Sequence, residues 1–218
     1  MAIVRICGVF LVATTFFLCS AASSGLCSVT GLLIIPVAET VGAGTYSGEC
    51  QTDGVITGRA IDAVVFNNEY GIGDRFEIGL DLVPHGDDTQ RMLGNFKYII
   101  ASSPRKGFAM GVGVADIARH TKPTLFATTR VHTSAGAFHF GPMSIDGKPC
   151  AFIGYDRIIG DVKFMCDYTT GKRNPASIGF GYQFNSLFGI EAGLLLNGSS
   201  ESTGFTVHLV WNKDLRAE

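Results

Sequence analysis

The run "TTRVHTSAGAFHF" places His132, Ser134 and His139 within eight residues of one another. A hydroxyl beside imidazoles is the raw material of acyl transfer, in which a base strips the proton from an attacking oxygen. The run holds no acid to orient the base, and none of the five histidines (His85, His120, His132, His139 and His208) lies in a nucleophile elbow or a metal-ligand spacing. A histidine isolated among strand residues is more often a hydrogen-bonded structural group, so a membrane-embedded lipid-modifying enzyme is the third-ranked reading. "GVGVADI", Gly111 to Ile117, is glycine-rich but continues an alternating strand instead of opening a helix, and so cradles no phosphate. No catalytic residue, cofactor or metal is expected.

A second set of groups is more informative. Glu69, Glu77, Asp81, Lys97, Lys163, Asp167 and Glu191 are isolated charges on a face otherwise rich in glycine and alanine. Glu69, Glu77 and Asp81 on early segments should meet Lys97 on the next, while Lys163 and Asp167 share one later segment. Charges confined in a lumen must pair or stay hydrated, so these seven are candidate lumen-lining residues, serving either as a salt-bridged closure or as the walls of a water-filled path.

What would position them is a series of strands. "RFEIGLDLV" sets Phe76, Ile78, Leu80 and Leu82 on one face and Glu77, Gly79 and Asp81 on the other, because strand side chains alternate. "GFAMGVGVADI" sets Phe108, Met110, Val112 and Val114 against Ala109, Gly111, Gly113 and Ala115; "SIGFGYQFN" and "LFGIEAGLLLN" do likewise, and Phe205, Val207, Leu209 and Trp211 share a face at the end. Tight turns at Gly73-Asp74, Ser102-Ser103-Pro104, Gly160-Asp161, Thr170-Gly171 and Asn185-Ser186 alternate with longer links from Pro84, Ala118 and Asn197. The pattern predicts an all-β, antiparallel up-and-down meander of about 10 to 12 strands that closes on itself to remove its edges, with Ser134 to Cys150 hardest to read.

The apolar face decides the surroundings. A soluble barrel holding an apolar ligand, the second-ranked reading, would turn its large residues inward and show water a face of Lys, Glu and Thr. Here the opposite face is glycine and alanine with single charges, which suits a crowded lumen, while segments of about ten residues match strands crossing a bilayer at a tilt. Tyr70, Phe76, Tyr98, Phe108, Tyr168, Tyr182 and Trp211 fall near strand ends, where interfacial girdles sit. A transmembrane β-barrel contacting outer-membrane lipid is the expectation. Charged residues are only 17% of the chain, and the net charge of −2 with no Lys/Arg cluster excludes a nucleic-acid partner.

The expected organisation is a cleaved secretory signal over 1–22, a lead-in over 23–44, the barrel over 45–213 and a tail over 214–218. The signal rests on Arg5, the apolar run Ile6 to Leu18 and the small residues Ser20 to Ala22. It leaves Cys27, Cys50, Cys150 and Cys166, read as small apolar side chains with room for one disulfide. The lead-in carries "TGLLIIPVAETVGAGTY", too short to span a bilayer as a helix and interrupted by Pro36. It is expected to pack at the periplasmic rim or into the lumen, with Gly42 and Gly44 bending the chain into the first strand near Thr45.

"TGLLIIPVAETVGAGTYSGE", followed by "EYGIGDRFEIGLDL", "GNFKYII" and "GFAMGVGVADI", resembles the opening of YjbH-type outer-membrane β-barrel proteins associated with exopolysaccharide biosynthesis. The resemblance runs from about Thr30 to Ile117. It implies a single barrel unit in the outer membrane, acting as a channel or envelope component in the export or surface retention of a polysaccharide, with export machinery as a partner. It supplies no catalytic residues. The last strand is followed by "NKDLRAE", whereas outer-membrane barrels usually end on an aromatic residue.

Overall fold

The computed structural model describes residues 31–57, 61–84, 92–119, 122–171, 174–196 and 203–216. Twelve strands occur among them: β1 (Thr45–Val55), β2 (Ala63–Ile72), β3 (Phe76–Leu82), β4 (Met92–Ser103), β5 (Phe108–Ile117), β6 (Thr124–Thr133), β7 (Gly136–Ile145), β8 (Lys148–Ile159), β9 (Val162–Thr169), β10 (Ala176–Gln183), β11 (Phe188–Leu196) and β12 (Gly204–Asp214). Each pairs antiparallel with its sequence neighbours, and β1 pairs β12 from Thr45↔Asp214 to Val55↔Gly204, so the barrel is closed. The proposed signal and Cys27 lie outside the described residues.

The two ends differ. Links at the end holding Thr45 and Asp214 are two to four residues long. At the other end they run to six, seven or nine, except for the two-residue Asp146–Gly147 turn. We call these the turn end and the loop end. Thr170-Gly171, read from sequence as a tight turn, instead begins a six-residue link at the loop end. Asp146 and Gly147 have φ of 52° and 75°, the positive values that the favoured two-residue hairpin requires. That turn resolves the stretch hardest to read, dividing it between β7 and β8.

The outer surface of the wall is apolar. Ile78, Leu80, Phe96, Ile100, Leu125, Phe140, Ile153, Phe164, Ile178, Phe180, Leu194 and Leu209 are all exposed there. Aromatic rings gather toward the turn end, where Tyr46 opposes Tyr70, Phe76 opposes Tyr98, Phe138 opposes Tyr155 and Phe188 opposes Trp211. Tyr168, by contrast, lies at the loop end of β9. Val114 is little exposed, but its register partners Phe96 and Leu125 both stand on the outer surface, so it keeps the outward face read for it, while Ala115 faces the lumen. A β-bulge follows, since Gly94 pairs Ile117 while Phe96 pairs Val114, and it turns Ile117 to the outer surface. Two residues, Ala115 and Asp116, thus stand opposite Asn95, and Asp116 takes φ of 60°.

Candidate functional site

The lumen is filled by the chain's own lead-in. Leu32, Leu33, Ile34, Ile35, Val37 and Ala38 are all buried, and the first five pack against Ala115, Phe126, Met143, Phe152 and Met165 of β5 to β9. The segment folds on itself: Leu32 N–H donates to the Ile35 carbonyl at 3.0 Å, and Gly31 bridges Pro36. Small residues in the wall make room. A Cβ on Gly179 or Gly193 would stand 2.7 or 2.6 Å from Leu33 Cδ1, and one on Gly154 would overlap Ile35. The glycine face legible in the sequence is therefore the socket of the inserted segment.

Polar contacts among the described residues moor the segment to the wall. Ile34 N–H donates to Asp167 at 3.3 Å, Thr128 Oγ1 donates to the Pro36 carbonyl at 3.2 Å, and Val41 N–H donates to Glu77 at 2.8 Å. Glu39 pairs with Arg130. Past Val41 the chain turns, Thr45 N–H donating to the Gly42 carbonyl at 2.9 Å and Gly44 taking φ of 69°, to enter β1.

All seven charges singled out from the sequence face the lumen. Glu77 and Lys97 are register partners on β3 and β4 with Nζ–Oε1 of 3.2 Å, both side chains fully buried. Asp81 accepts from Asn95 Nδ2 at 2.5 Å, and Glu69 is buried on β2 opposite Ser47. Lys163 does not meet Asp167 along β9; it reaches across β10 to Glu191 at 2.8 Å, over Gly181, whose missing side chain leaves the space. Asp167 is turned to the inserted segment instead.

Several lumen groups were missed by reading charges alone. His139 is buried on β7 and bonds Asp156 of β8 at 2.7 Å. His208 of β12 stands between Glu49 of β1, with Nδ1–Oε1 of 3.1 Å, and Thr206, with Nε2–Oγ1 of 2.7 Å. Thr206 lies 2.6 Å from Asp53 in turn, so a chain of polar contacts runs from Glu49 through His208 and Thr206 to Asp53. Parity with Glu49, Gln51, Asp53 and Thr206 in their strands was the available signal.

The acyl-transfer arrangement is not assembled. Ser134 and His132 are exposed at the turn end, whereas His139 is buried with its ring engaged by Asp156. Among the described residues no group of three or more His, Cys, Asp and Glu side chains could hold a metal. Cys50, Cys150 and Cys166 are free thiols.

The lumen thus has two halves. From β5 to β10 it is largely an apolar socket occupied by the lead-in; from β11 through β1 to β4 it is a network of carboxylates, amides and cations. No family model matches this chain, and no curated protein matches it. Among solved structures it is similar to the KdgM porin, with a TM-score of 0.51 and 8% identity over 76% of this chain and 98% of that one. The N-terminal β-barrel domain of Pseudomonas aeruginosa OprF aligns with a TM-score of 0.29 and 14% identity, over 79% of this chain and 99% of that one, too loosely to carry an argument. The likeness to KdgM shows the fold, a closed antiparallel barrel of the porin kind.

Proposed function

We propose that this chain is an outer-membrane barrel of the cell envelope, held shut by residues 31–41 and opened by their displacement to pass a polar substrate. The observation that carries this is the two-sided wall: large apolar residues outside, ionised residues inside, and a lumen occupied by a segment joined to β1. Putting Ile78, Phe180 and their like into water would leave an apolar surface far beyond the few hundred Å2 that soluble monomers expose. Lipid removes that cost, and closure of the sheet satisfies its backbone groups there. A soluble barrel with an apolar ligand inside fits less well, because the apolar interior is already taken by Leu32 to Val37.

Surface polysaccharide is the substrate class we assign, on the resemblance of Thr30 to Ile117 to exopolysaccharide-associated barrels. The amide- and hydroxyl-rich half of the lumen supports it, since sugars are bound through such groups. The chain then acts as a conduit and carries out no reaction. Fractionation tests the location: the protein should enter the outer-membrane fraction and run at a different apparent mass before and after boiling, and release as a soluble protein without detergent would overturn the reading. Cells lacking the chain should change in the amount of polysaccharide secreted or retained; equal amounts would remove the substrate assignment and leave the location standing.

A further inference from the structure

Where the inserted segment leaves the lumen, the turn end holds a cavity of about 750 Å3. One side of it is the segment itself, Ala38 to Thr40. The wall opposite carries Arg75 just before β3, Arg130 and His132 at the end of β6, and Asp74 on the rim. Ile99 of β4 and Pro104 of the β4–β5 turn add apolar wall. The frame is tied together there: His132 N–H donates to the Gly107 carbonyl at 2.6 Å, which joins β6 to the β4–β5 turn.

The charges sort by what carries them. Arg75 and Arg130 belong to the wall, and the wall's acid at this cavity is Asp74, set where Arg216 of the C-terminal tail also acts on it. The carboxylate that meets Arg130 comes instead from the inserted segment, as Glu39. That side chain is 49% exposed and Arg130 is 25% exposed, so the pair is hydrated and exchangeable, unlike the buried Glu77–Lys97 pair. Arg75 makes no ion pair with another described residue. Two wall guanidiniums thus face one cavity, and the segment supplies a carboxylate to only one of them.

We propose that this cavity binds a small organic dicarboxylate, one carboxylate taking the place of Glu39 on Arg130 and the other received by Arg75. A guanidinium presents its N–H donors in a planar fork that matches a carboxylate, and Arg130 already holds one. The apolar wall from Ile99 and Pro104 suits the methylenes between the two groups, which an inorganic anion lacks. Ligand and segment then share Arg130, so each weakens the hold of the other. Only the Glu39 side chain has to swing aside. The site therefore stands whether or not the barrel conducts.

The test is titration calorimetry on the full chain folded in detergent micelles, with succinate, glutarate and adipate as probes of increasing reach. Butyrate serves as a monocarboxylate, glutaramide as an uncharged analogue and sulfate as an inorganic dianion. The best of the dicarboxylates should bind roughly fivefold or more tighter than each of these. Arg75→Gln and Arg130→Gln should each weaken it by a similar factor while keeping the boiling-dependent gel shift. Glu39→Gln removes the competing carboxylate and should tighten it about threefold. Arg157→Gln, on the exposed end of β8, should leave it unchanged. Should Arg130→Gln not fold, Arg75→Gln decides. Absence of dicarboxylate binding to folded wild type, any of the three comparison probes binding as tightly, unchanged affinity in the folded arginine variants, or a folded Glu39→Gln that binds no tighter would each overturn the proposal.

Discussion

Replacing Leu33 by Ala tests the closure of the lumen at its centre. Leu33 is 1% exposed, and its Cδ1 occupies the space that glycines 179 and 193 leave in the wall, so no wall side chain can fill the void left by truncation. Burial of this kind is worth about 2–5 kcal/mol in Leu→Ala substitutions. The loss falls on the segment-in state, because the wall strands keep their pairing whether the segment is in or out. Taking about 3 kcal/mol, the ratio of segment-out to segment-in molecules rises on the order of 150-fold. Planar-bilayer recordings read that ratio as the time spent conducting: rare, brief openings in wild type, and openings lengthened or multiplied by about two orders of magnitude in Leu33→Ala. Leu194→Ala, on the outer surface of β11, is the matched control and should record as wild type. The reasoning is refuted if wild type conducts continuously, or if Leu33→Ala retains its gel shift and opens no more often than the control.

Further outcomes follow from the wall. Lys97→Met leaves the Glu77 carboxylate, fully buried and already accepting from Val41, without its cation. This should cost about 3–5 kcal/mol, seen as a lowered midpoint of urea unfolding in vesicles, and the double change Glu77→Gln with Lys97→Met should recover part of it. Trp211, the single tryptophan, packs against Gly48 among the turn-end aromatics. Its emission should be quenched more by lipids brominated near the headgroup than by lipids brominated deep in the chain; the reverse order would move the aromatic girdle away from the turn end. Gly48→Ala, whose Cβ would overlap the Trp211 ring, should red-shift that emission; an unshifted spectrum would show that the ring does not rest on Gly48.

Strand existence and inward parity were legible because a half-apolar strand records its two faces in alternate residues. Phe76 to Leu82 shows this most plainly, with Glu77 and Asp81 buried while Ile78, Leu80 and Leu82 are exposed. Parity fails where a residue is added, as at Ala115–Asp116, because a bulge shifts every later side chain by one face and leaves no composition signal. It was also weak around Pro142 and Pro149, although Asp146-Gly147 carried the hairpin signature between them. The inserted segment was legible as something other than a wall strand, from Pro36 and the absence of alternation. Its seat was not, because the contacts of Leu33 with Gly179 and Gly193 span most of the chain and no local pattern records them. Charge partners divide the same way. Glu77 and Lys97 are on adjacent strands and could be paired by eye, whereas Lys163 finds Glu191 only by crossing an intervening strand at Gly181.

The lengths of the connections imply an order of assembly. Strands β6 to β9 are joined by three consecutive two-residue turns, so their pairings close the shortest loops and form earliest. The seam between β1 and β12 joins Thr45 to Asp214 and closes the longest loop in the wall. Residues 31–44 run directly into β1, the strand that makes this last pairing. The stretch that fills the interior is therefore tethered to the strand that seals the wall, the pairing that closes last.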